Sequence, residues 1–139
     1  MREEFEAAEI PYPSAGERVA HLRHVTTYLH GVAPTIPLLI AGNGDKVLTI
    51  AAQHADIIGF TGGGLPDGSG TDPMAERVDF VRGAAGDRFA DLELNLAITA
   101  VPTDSSGIPD LTLTRAYFPD ASDEQLMAMP TVLSGSPTD

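Results

Sequence analysis

The residues best placed to do chemistry are Ala41, Gly42, Asn43 and Gly44, a glycine turn between an apolar run and a helical pattern. Such a turn offers free backbone N–H groups and the positive end of a helix dipole, which together suit an anion such as a phosphate. Any strand-to-helix connection also wants glycine and an Asn or Asp cap, so the turn by itself leaves both readings open. His21, His24, His30 and His54 raise metal or acid–base chemistry. His21 and His24 fall on one helix face, yet no ligand set of defined spacing completes them, so no metal site is expected. His54 stands in the last turn of its helix, where a cation complements the dipole. Glu93 and Asn95 would be acid–base groups inside a barrel, but they open their strand, the end tied to stability. Thr99, nearer the C-terminal end of the same strand, is the better functional candidate. Asp56 also opens a strand and reads as a turn or cap. No Ser-His-Asp set in nucleophile-elbow context is present. The chain has no cysteine, which removes disulfides, thiolate nucleophiles and Cys-based metal sites.

The elements that must hold these residues are legible in order. Ser14 and Glu17 have capping-box spacing, and Val19, Leu22, Val25 and Leu29 continue as the stripe of a helix to about His30. Pro11 and Pro13 make the preceding segment a turn or extended arm. From Ile36 to Gly63 runs a strand, turn, helix and second strand. Ile36, Leu38, Leu39 and Ile40 form an apolar run of a strand covered on both faces. Asn43 or Asp45 is the expected cap of a helix with Val47, Leu48, Ile50, Ala51 and Ala55 on one side. Ile57, Ile58 and Phe60 form the second strand, parallel to the first by a right-handed crossover. After a Gly, Pro and Asp loop, Thr71 or Asp72 caps a helix with Pro73 in its first turn, and Gly86 closes it. Leu92 to Val101 alternates, with Glu93, Asn95, Ala97 and Thr99 on the face expected to line a barrel interior. Residues 105–121 read as loop, Ser122 and Gln125 as a second capping box, and 131–139 as a strand end, a glycine turn and a helix start at Ser136 and Pro137.

At 139 residues the chain suits one domain, 1–139, with a real core. No apolar run reaches membrane-spanning length and the acidic N-terminus is no signal peptide, so a soluble, cytoplasmic protein is expected. Twenty acidic against eight basic residues give a net charge of −12, which opposes nucleic acid and anionic membranes.

The stretch AGNGDKVLTIAAQHADIIGF resembles the luciferase-like monooxygenase family, in particular its flavin- or deazaflavin-dependent oxidoreductases that use coenzyme F-420. The matching features are the apolar strand Ile36 to Ile40, the turn Ala41 to Gly44, the run Leu48 to Ala52, and Ala55 with Asp56. Glu76 to Leu96 is similar to the helix and strand that follow in one subgroup of that family, Glu3 to Leu22 to the segment after the family's fourth strand, and VLSGSPTD to the turn before its last barrel helices. Ala41 and Glu9 stand where that family more often has glycine. The resemblance implies an α/β fold, a partial TIM-type (β/α)8 barrel comprising about its C-terminal half, since a complete barrel needs about 250 residues. It places the cofactor, F-420 or FMN, at the C-terminal ends of the strands. Its phosphate would lie at Ala41, Gly42, Asn43 and Gly44, with Phe60, Thr61, Gly62 and Thr99 lining the same mouth. It assigns no catalytic residue. The implied partners are a small-molecule cofactor and substrate, with hydride transfer or monooxygenation as the chemistry. A non-catalytic binding or interaction module is the alternative. A half barrel leaves strand edges unpaired and its inner face uncovered, so a homo-oligomer is expected.

Overall fold

The computed structural model describes residues 2–61, 64–65 and 72–136, which divide between two compact units, Met1–Leu38 and Leu39–Asp139. Gly62 of the expected cofactor wall, Gly63, Thr71 and Pro137 lie outside the described residues.

The first unit is helical. A short helix, α1 (Arg2–Ala7), precedes α2 (Ala15–Val32). The N-terminus of α2 is the expected capping box: Ser14 Oγ accepts from Glu17 N at 3.3 Å, and Glu17 Oε2 accepts from Ser14 N at 2.7 Å. α1 was not foreseen, because none of its residues is buried and it carries no apolar stripe. Its end is a Schellman motif, with Ile10 N donating to Phe5 O at 2.9 Å and Glu9 N to Glu6 O at 3.1 Å. That closure puts Glu9 at φ 56°, the left-handed conformation for which glycine is the unstrained residue. Tyr12 then packs edge-on against Phe5, with their ring centroids 5.2 Å apart, and Arg18 lies over the Tyr12 ring.

The second unit is mixed α/β around a parallel sheet of β1 (Leu39–Ala41), β2 (Ile57–Phe60) and β3 (Glu93–Leu96), in that order. Leu39 pairs with Ile57 and Ile57 with Glu93, so Ile40, Ile58 and Leu94 share one face and Leu39, Ile57 and Glu93 the other. The helix α3 (Asp45–His54) connects β1 to β2 and buries Leu48, Ile50, Ala51 and Ala52, which with Ile58, Phe60 and Val81 form the main core. The helix α4 (Pro73–Ala85) packs on α3; Asp72 caps it through Met74 N at 2.8 Å, with Pro73 in the first turn. A 3-10 helix over Gly86–Asp91 then carries Arg88 to the end of α3, where its guanidinium donates to Ala52 O at 2.9 Å and to Ala55 O. His54 stands in the last turn of α3 as expected, and Arg88 adds a second basic side chain at that helix end.

The other sheet face is open. Leu39 is 51% exposed, and Glu93 and Asn95 are exposed. Consecutive parallel order belongs to barrels and to open sheets alike.

Two expectations shift at the strands. β1 starts at Leu39 instead of Ile36, because Pro37 has no N–H for a ladder. The strand expected over 92–101 holds β2 only through β3 and the Ala97 N bond to Phe60 O. It then turns to a new neighbour: Thr99 N donates to Thr131 O at 2.8 Å, and Ala100 forms a parallel bridge with Val132. Around this bridge a second cluster buries Ala100, Ala121, Leu126, Met129 and Val132. It includes two short helices, α5 (Thr112–Tyr117), which the sequence left as loop, and α6 (Asp123–Met127), whose Ser122 and Gln125 capping box forms as expected.

Candidate functional site

Two features occupy the C-terminal ends of the parallel strands. The first is the turn from β1 into α3. Gly42 N donates to Gly59 O at 3.0 Å, which fixes the turn against β2. A Cβ on Gly42 would meet Val47 Cγ1 at 2.9 Å, so a larger residue here would push the Val47 side chain aside. Gly44 differs. It is the cap of α3, in place of the expected Asn43 or Asp45, and no side chain caps the helix there. Its φ of −75° and ψ of 139° suit any residue, and a Cβ added to it would have nothing within 4 Å. Neither backbone nor packing demands glycine at this position. Gly44 O accepts from Val47 N at 2.9 Å and Leu48 N at 3.0 Å, so the N–H groups of Asp45 and Lys46 come before the first intrahelical donor. The charges nearby are mixed. Asp45 sits in the first turn and pairs with Arg77 at 2.7 Å, so its negative charge is balanced, while Lys46 is exposed.

The second feature is a cavity of about 420 Å³ lined by Thr61, Ala97, Thr99, Thr114, Tyr117, Phe118, Met129 and Thr131. Thr61 follows β2, while Ala97 and Thr99 are the last two residues of the polar face expected to line a barrel interior. Thr114 from α5 and Thr131 are each 1% exposed. Burial makes an unpaired hydroxyl costly, and a short chain of hydrogen bonds satisfies all three. Thr114 Oγ1 donates to Thr99 Oγ1 at 3.0 Å, and Thr99 Oγ1 lies 3.1 Å from Thr131 Oγ1 and 3.3 Å from Thr131 O.

The residues expected at the site therefore separate. Thr61 and Thr99 line the cavity. Ala41, Gly42, Asn43 and Gly44 form the turn beside it on the sheet edge, and Phe60 is 3% exposed in the core and lines neither. Thr131 was missed because its partnership with Thr99 joins segments 32 residues apart. Thr114 carried no signal, since its helix was not recognised. Among the described residues no group of three His, Asp or Glu side chains is placed to hold a metal, and no helix is long and apolar enough to cross a membrane. Compared with protein-family models, with curated proteins and with solved structures, the chain finds no match.

Proposed function

We propose that this chain is part of a luciferase-like oxidoreductase that uses F-420 or FMN, and that the turn Ala41 to Gly44 anchors the cofactor phosphate. The observation that carries the reading is Gly44: a helix cap without a side chain, in an ordinary conformation, with no atom within 4 Å of the place a β-carbon would take. A phosphate there would accept from the N–H groups of Asp45 and Lys46 and face the positive end of α3. The position agrees with the general rule for parallel α/β sheets, in which ligands gather at the C-terminal strand ends. Glu9 supports the family resemblance on separate ground, because its φ of 56° is the conformation that the glycine more usual there would relieve. When bound, the deazaflavin or flavin ring supplies hydride transfer, or oxygen activation in the FMN case. The chain's own residues bind the phosphate, orient the ring and exclude water. A binding role without catalysis is the second reading, favoured by a cavity lining that, among the described residues, holds no Asp, Glu, His, Lys or Arg.

The test is a titration of the full chain with F-420 and with FMN, followed by cofactor fluorescence and melting temperature. Saturable quenching with a rise in melting temperature is expected for one of the two. No response to either at millimolar cofactor would sink the reading.

A further inference from the structure

We infer that the threonine-lined cavity takes an uncharged small molecule with an apolar, ring-sized body and one hydroxyl or carbonyl group, received by the hydroxyls of Thr99 and Thr131. This does not rest on the phosphate turn, which contributes no residue to the cavity.

Size is the first argument. About 420 Å³ lies within the range of roughly 300–1,000 Å³ typical of small-molecule sites. Charge is the second. Among the described residues the lining holds no Asp, Glu, His, Lys or Arg, so an ion would meet no counter-charge inside. The third is the proton inventory of the hydroxyl chain. Thr114 donates to Thr99. If Thr99 then donates to the Thr131 hydroxyl, the Thr131 proton is left for an acceptor on the ligand. If Thr99 donates to the Thr131 carbonyl, Thr131 donates back to Thr99 and its lone pairs meet a donor on the ligand. The chain of hydroxyls thus serves either partner by rotation alone, which fits a neutral alcohol, phenol or ketone. Tyr117, Phe118 and Met129 supply the apolar walls, two of them flat and one adaptable.

The probes are 2-naphthol, naphthalene and naphthalene-2-sulfonate, titrated into the full chain and followed by probe fluorescence and melting temperature. The expected result is single-site, saturable binding of 2-naphthol, with the sulfonate at least tenfold weaker. Thr99→Val should lower the preference for 2-naphthol over naphthalene by about tenfold, the worth of one neutral hydrogen bond. Ala97→Leu narrows the cavity from an exposed position and should weaken binding of both at an unchanged melting temperature. The inference is overturned by absence of saturable 2-naphthol binding, by equal affinity for the sulfonate, or by wild-type binding in Ala97→Leu. Should Ala97→Leu lower the melting temperature, the ratio of the two affinities in Thr99→Val decides, and an unchanged ratio overturns the assignment.

Discussion

Single residues in this chain are explained by what each backbone position and each buried hydroxyl demands. Glu9 holds the left-handed conformation at the end of α1, where a β-carbon crowds the following carbonyl. Glu9→Gly is therefore expected to stabilise the first unit by about 1 kcal/mol, read as greater amide protection of Glu9 and Ile10; lower protection would refute the strain account. Thr114 illustrates the opposite case, a polar side chain held by its partners. Thr114→Val leaves Thr99 without its donor in a buried setting and should cost about 1–3 kcal/mol in urea denaturation, whereas Thr114→Ser should cost less than half as much. Equal losses in both variants would mean that packing of the Thr114 methyl, and not its hydroxyl, dominates. Thr99 was reached from its place near a strand's C-terminal end, and Thr61 through the family resemblance. Sequence reading missed Thr114 and Thr131 because their partnership joins positions 99, 114 and 131, a relation that no local pattern encodes.

Elements were legible wherever the chain states its own boundary. Both capping boxes and the Asp72-Pro73 helix start form as the residues specify. The failures have local causes. Pro37 cannot join a ladder, so β1 loses its first residues, and α1 and α5 are six-residue helices too short to show a period. Alternation over 92–101 correctly signalled extended chain but could not show that it changes partner from β2 to 131–133, since pairing depends on distant residues. The α2 capping box gives a pH dependence. Hydrogen bonds from the Ser14 side chain and backbone hold the Glu17 carboxyl below its ordinary value of 4.5. A depressed folded pKa contributes stability above the unfolded value and loses it as pH falls through the folded one. Protection of the α2 first-turn amides, compared at matched pH between wild type and Glu17→Gln, should favour wild type above pH 4.5 and converge below it. A difference that persists unchanged at acid pH would contradict the assignment.

For the whole molecule, the glycine turn and the threonine-lined cavity both lie at the C-terminal ends of a three-stranded parallel sheet. On one sheet face Leu39, Glu93 and Asn95 are exposed, and β1 has no outer strand neighbour among the described residues. Such an edge and face recruit a partner, so light scattering after size exclusion should give a dimer or larger species at micromolar concentration. A monomer at every concentration would count against association. The phosphate turn is the central claim, and Gly44→Asp tests it most directly. An aspartate at that position caps α3 at least as well as glycine, which it exceeds by a few tenths of a kcal/mol, yet it places a negative charge where the phosphate would bind. The account predicts an unchanged or higher melting temperature together with at least tenfold weaker binding of F-420 or FMN in parallel fluorescence titrations. Equal cofactor affinity in wild type and Gly44→Asp would contradict it.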